Sequence, residues 1–161
     1  MRGNVNTRLL KVQQNNWNGA IFAAAGLERI QLRPENAIDL DWMLPAPAQG
    51  AIVVVCREND QSSLEACLHF NHNDTAICTK IERDFLRSLL GGCSTPISAL
   101  AEVKGDSIFF RGNILSVDGK EKVEIEKTIN LDASFDLGNT AATALLNKGA
   151  DKIADAIRNA K

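Results

Sequence analysis

The sequence predicts an α/β chain that ends in an α+β unit, and three observations carry the prediction. Two continuous apolar runs, residues 19–26 and 51–56, have the character of strands covered on both faces of a parallel sheet. Apolar residues at Ile77, Ile81, Phe85 and Leu89 recur at helical spacing and mark a helix over about 75–90. Three alternating segments follow, joined by Lys104-Gly105-Asp106 and Asp118-Gly119-Lys120, the pattern of an antiparallel meander.

In chain order, Asn4 or Asn6 is a candidate N-cap for a short helix carrying Leu9, Leu10 and Val12, which stops at Gln14-Asn15-Asn16. The run 19–26 is predicted as a buried strand entering a glycine-containing loop, although a short helix over 27–32 fits equally well at its end. Pro45 and Pro47 push the residues before them away from helix, so 44–50 is an extended connector. A second buried strand over 51–56 and a helix over 62–70 come next. The helix over 75–90 has Asn73 or Asp74 as its cap and Gly91-Gly92 as its stop. The meander strands span about 97–103, 107–117 and 122–129. An amphipathic helix over 137–160, carrying Leu145, Leu146, Ile153 and Ile157 and interrupted at Gly149, closes the chain. Residues from 73 onward make a unit of their own. The two isolated strands before it need parallel neighbours that this chain does not supply, which leads to the expectation of truncation at the N-terminus.

Composition removes several function classes. The 161 residues are 45% hydrophobic and 24% charged, and 18 Lys+Arg against 20 Asp+Glu give a net charge of −2, so no broad positive field draws nucleic acid or an anionic membrane. Tyrosine is absent and aromatics are 5%, which argues against stacking platforms for single strands. The longest apolar run, residues 20–27, is too short to span a bilayer, and no signal peptide is expected, so the default is a cytoplasmic protein with reduced thiols. The cysteines at 56, 67, 78 and 93 include no C-x-x-C pair, and no metal site is expected. Cys56, Cys67 and Cys78 read as core packing. Cys93 follows Gly91-Gly92 at a loop; on spacing alone such a cysteine is more often a small buried hydrophobe.

Five motifs add a specific resemblance. Arg2-Gly3-Asn4-Val5-Asn6-Thr7-Arg8, Ala23-Ala24-Ala25-Gly26-Leu27-Glu28-Arg29, Leu44-Pro45-Ala46-Pro47-Ala48-Gln49-Gly50-Ala51, Glu82-Arg83 and Gly91-Gly92-Cys93-Ser94-Thr95-Pro96-Ile97 occur in this order. The chain thereby resembles the porphobilinogen deaminase, or hydroxymethylbilane synthase, family over essentially its whole length, and corresponds to about the C-terminal half of that family's chain. The resemblance implies a transferase of tetrapyrrole (haem) biosynthesis that condenses four porphobilinogen units head to tail with loss of ammonia. The growing polypyrrole is held on a dipyrromethane cofactor, which the resemblance places on Cys93 through a thioether. It also implies that Arg2, Arg8, Arg29 and Arg83 are cleft arginines for the pyrrole acetates and propionates, a task suited to a planar, permanently charged fork. On spacing alone each is a solvated surface charge. Arg2 and Arg8, six residues apart, would not share one helical face, so Arg2 must precede the helix if both reach the ligand.

Gln49 and Gly50 match a Gly-Gln-Gly element of the family, with Ala48 where the family usually has Gly, which weakens the expectation of a positive φ there. Asn4 and Thr7 either order the ligand loop or cap the helix. The implied fold is a pair of periplasmic-binding-protein-like doubly wound domains plus a third domain bearing the cysteine. On that plan 1–43 is the rear of the second domain, 44–72 the return into the first and 73–161 the complete third. The family's catalytic aspartate lies in the N-terminal domain, so no catalytic residue is expected here; Asp39, Asp41 and Glu82 read as capping or arginine-pairing groups. The chain alone is expected to be inactive. A separately encoded N-terminal half would complete a two-chain enzyme, and a non-catalytic binding module is the alternative.

Overall fold

The computed structural model describes residues 2–89 and 95–159. The chain divides into two compact units, Met1–Asp41 and Trp42–Lys161.

In the first unit α1 covers Val5–Gln14. Asn4 caps it, its Oδ1 accepting from the Thr7 N–H and the Thr7 hydroxyl at 2.9 Å each, so capping is what these two side chains do. The strand expected over 19–26 does not form. Residues 19–23 are irregular and α2, Ala24–Arg29, takes the rest of the run. A strand needs a neighbour to receive its N–H and C=O groups, and without one the alanines follow their own helical preference. Leu27 is the one buried hydrophobic residue described in this unit. Arg33 braces its end, donating to Glu28 at 2.8 Å and to both oxygens of Asp39 at 2.7 and 2.8 Å.

The second unit opens with the connector, followed by residues 51–57, which form no strand either. Ile52 and Val55 are 87% and 84% exposed, and Val53 and Val54 are exposed between them. The expected strand is overturned: β-branched side chains favour extended backbone, but this run pairs with no strand of the described sheet. Helix α3 covers Gln61–Leu68 and α4 covers Asn73–Ser88. The cap of α4 is His72 instead of Asn73 or Asp74, its Nδ1 accepting from the Thr75 N–H at 3.3 Å. Strands β1 (Ile97–Lys104), β2 (Ser107–Leu115) and β3 (Lys122–Asn130) form the expected meander in the order β1-β2-β3, with Ala101 opposite Phe110 and Gly112 opposite Ile125. A 3₁₀ turn over Leu131–Asp136, unread in the sequence, leads into α5, Leu137–Leu145. The interruption falls where expected: Gly149 takes φ 102°, and α6 resumes over Asp151–Asn159.

Alternation along β1 and β2 sends Ala99, Ala101, Ile108, Phe110 and Ile114 into a core shared with Ile81, Phe85 and Leu89 of α4 and with α5 and α6. Phe85 meets Phe110 edge to face at 5.1 Å between ring centres. Two glycines permit this closeness. A Cβ on Gly112 would lie 2.6 Å from Phe85 Cζ, and one on Gly138 would lie 2.3 Å from the Ile81 carbonyl oxygen. Of the cysteines expected in the core only Cys78 is buried; Cys56 is exposed and Cys67 half-buried, and all three are free thiols. The exposure of Cys56 follows from the missing strand around it.

Candidate functional site

Cys93 lies outside the described residues, and the site is built from its flanks. On one side Leu89 is buried at the end of α4. On the other, Ile97 N–H donates to Thr95 O at 2.8 Å and Leu115 N–H to Pro96 O at 3.0 Å. The described residues on either side of 90–94, a helix end and a strand start, are each fixed in the core unit.

The connector over 44–50 is fixed by a group that sequence reasoning misjudged. Glu82 on α4 is 5% exposed and is neither a cap nor an arginine partner. Its Oε2 accepts from the Ala48 N–H at 2.6 Å and its Oε1 from the Ala101 N–H at 2.8 Å, so one carboxylate joins connector, helix and strand. Burial pushes the Glu82 carboxyl up, and the two N–H bonds pull it down by less. The signal was present in the sequence: Glu82 is four residues after Cys78 and three before Phe85, a carboxylate on the apolar stripe of the helix. A second tie runs from the Ala99 N–H to Pro45 O at 3.1 Å.

Between these ties Ala48 takes φ 59° and Gly50 φ 87°. The expectation that alanine at position 48 weakens the positive φ is therefore overturned: the left-handed turn persists because Glu82 holds its N–H. Gln49 Oε1 accepts from the Ala46 N–H at 3.0 Å, which closes the loop on itself, and the residue is exposed. Replacing Ala48 by glycine is expected to stabilise the chain by about 0.5–1 kcal/mol, since relief of roughly 1–2 kcal/mol of left-handed strain exceeds the entropy glycine adds to the unfolded chain. Urea unfolding reads this directly, and an unchanged or lower midpoint contradicts it.

The arginines divide between the two units. Arg2, Arg8 and Arg29 belong to the first. Arg2 precedes α1 as required, with its carbonyl accepting from Lys11 Nζ at 3.0 Å. Arg8 lies over the Phe22 ring at 4.9 Å and donates from Nη2 to Ile21 O at 3.4 Å, while its Nε is buried without a partner. Arg29 is exposed in the last turn of α2, and Arg83 is exposed on α4 in the second unit. Among the described residues none of these four makes an ion pair, whereas Arg33, Arg87, Arg111 and Arg158 all do. The orphaned Arg8 donor fits a carboxylate, and so do the three unpaired guanidinium groups; a polycarboxylate cofactor is compatible with the residues present.

Cys78 borders an open cleft with Gln49, Gly50, Asp74, Thr75 and Glu102. Burial, foremost, pushes its thiol up, a backbone bond at Val103 opposes this, and the nearby carboxylates of Glu82, Asp74 and Glu102 add to the rise. No group of three or more His, Cys, Asp or Glu side chains among the described residues is placed to hold a metal.

Helix α4 packed on the β1-β2-β3 meander, with an exposed Arg83 that makes no ion pair among the described residues, defines an α+β domain that can offer a guanidinium to a carboxylate. Comparison with known proteins makes this specific. Residues 1–65 match the family model described as porphobilinogen deaminase, dipyromethane cofactor binding domain, and residues 76–147 match porphobilinogen deaminase, C-terminal domain. Porphobilinogen deaminases of Listeria innocua and Pelobacter propionicus are each 38% identical, over 99% and 98% of this chain respectively. The chain belongs to the porphobilinogen deaminase family. It spans about half the length of the curated relatives it matches, 52% and 51% for these two.

Proposed function

We propose that this chain is the cofactor-anchoring half of a hydroxymethylbilane synthase, with dipyrromethane joined to Cys93 through a thioether. The observation that carries the reading is the Gly91-Gly92-Cys93 motif, whose described flanks are anchored, in a chain whose four motif arginines make no ion pair among the described residues and whose Arg8 Nε has no partner. When bound, the cofactor supplies the pyrrole carbon on which the chain is built. The Cys93 sulfur holds a carbon–sulfur bond that outlasts repeated condensations. Arg8 offers its unpaired Nε to a carboxylate, Arg2, Arg29 and Arg83 offer further forks, and the Gln49 NH₂ and the Gly50 backbone add neutral contacts. Porphobilinogen and the growing polypyrrole are the ligands.

We assign the proton transfers to no carboxylate of this chain. Glu82 is occupied by two N–H groups and Asp39 by Arg33. The catalytic aspartate, and activity, therefore come from the half of the family fold that this chain does not span, whether joined to it or provided by a partner polypeptide. On this reading 1–43 completes the second domain, 44–72 returns into the first and 73–161 is the third. Among the described residues no helix is long and apolar enough to cross a membrane, and we assign the reaction to the cytoplasm.

Intact mass tests the attachment. Expressed beside a matching N-terminal half, the chain is expected to carry a covalent increment of two pyrrole units that disappears in Cys93→Ser and persists in Cys56→Ser. An increment that survives Cys93→Ser, or none in the unsubstituted chain, overturns the assignment.

A further inference from the structure

We infer that Glu82 is a positioning residue for the ligand contacts of Gln49 and Gly50. This rests on the reading that those two residues touch the pyrrole carboxylates. The connector between Pro45 and Ala51 joins no helix or strand and, instead of running extended throughout, turns over 47–50, closed by Gln49 N–H to Ala46 O at 3.0 Å and Ala51 N–H to Ala48 O at 3.3 Å; two bonds tie this turn to the core unit. Pro45 O is tied to β1 by the Ala99 N–H, and the Ala48 N–H is tied to α4 by Glu82. With position 48 held in the left-handed region and Gly50 following at φ 87°, the exposed Gln49 side chain turns back onto Ala46 N–H through its Oε1. Releasing the Ala48 N–H removes the bond by which α4 holds the turn at its strained residue, leaving the left-handed φ 59° of an alanine to the turn's own bonds alone.

A carboxylate is the group this junction requires. Two backbone N–H donors converge on it from different elements, and only an acceptor with two oxygens serves both. An amide would present NH₂ to one of them. No cation shares the task, for among the described residues Glu82 makes no ion pair; the ionisable groups around it are Asp74 and Cys78 of α4, Glu102 of β1 and His72 before α4. Arg83, the next residue along α4, is exposed. One helix therefore offers a guanidinium to ligand with one side chain and aligns the neutral contacts with the one before it.

The test is a titration of the full chain with porphobilinogen followed by ¹H–¹⁵N NMR, reading Gln49 Nε2, the Gly50 amide and Arg8 Nε together. In the unsubstituted chain all three signals are expected to shift. In Glu82→Gln the Gln49 and Gly50 responses weaken about fivefold, the equivalent of one ordinary hydrogen bond, and the Arg8 response is retained. Equal loss at Arg8 shows general destabilisation and overturns the positioning role, as do unchanged Gln49 and Gly50 responses. No response at Gln49 and Gly50 in the unsubstituted chain overturns the underlying reading of those contacts. Should Glu82→Gln not fold, the same comparison is made in the Ala48→Gly background, against Ala48→Gly alone.

Discussion

Glu82→Ala is expected to lower the stability of the chain by about 2–4 kcal/mol, a large share of what a domain of this size possesses. The substitution leaves the Ala48 and Ala101 N–H groups without acceptors, one of them inside the sheet and the other in the turn that α4 supports. Each unsatisfied donor costs about 1–3 kcal/mol, offset in part because an ionisable group no longer has to be desolvated. The pH dependence has a definite sign. Burial raises the folded carboxyl above its unfolded value, so the stabilising contribution of the shift is full below the ordinary glutamate range and is lost as pH rises through the raised folded value. Urea unfolding across the acid range is thus expected to show Glu82→Ala lacking a slope that the unsubstituted protein has. A loss below about 1 kcal/mol at neutral pH contradicts the assigned bonds.

Gly138→Val is expected to be more damaging still, costing about 3 kcal/mol or more and preventing folding at physiological temperature if α5 cannot retreat. A Cβ at this position meets the Ile81 carbonyl oxygen at 2.3 Å, Asp84 Cβ at 2.9 Å and the Phe85 nitrogen at 2.9 Å. Two of those atoms are helix backbone, which cannot swing aside, so α5 must lift away from α4 and open the core between them. Gly112→Ala provides the contrast. There the obstacle is the far end of the Phe85 ring at 2.6 Å, and a ring can tilt at lower cost. Thermal unfolding should therefore rank Gly138→Val well below Gly112→Ala, and an inverted ranking means that the two helices do not cross at Gly138.

How far the fold could be read from the sequence depended on where each element finds its partners. Helix α4, the three strands and the break at Gly149 were legible because periodicity, turn residues and the contacts that satisfy them all lie within 73–159. Runs 19–26 and 51–56 were misread for the opposite reason. Their residues state a preference for burial in a sheet, and the preference is real, but a strand exists only where another backbone receives it. The His72 cap escaped because histidine ranks low among capping residues, and the Ala48 turn because its left-handed backbone is enforced by a carboxylate 34 residues away. The expectation for Cys93 and the arginines rests on their motifs, since spacing alone gives each a plainer reading. Glu82 was named as a carboxylate near a motif, and its role emerged from the two N–H groups that converge on it.

The contrast between the single buried Leu27 of Met1–Asp41 and the continuous core of Trp42–Lys161 means that the chain does not possess one stability. Amide exchange in the first forty residues should report local opening far below the free energy at which the sheet unfolds. Arg2, Arg8 and Arg29 sit in that looser part, so a ligand that engages them must also order the segment that carries them. Its apparent affinity is lowered by that ordering, and its protective effect is confined to the part that opens first.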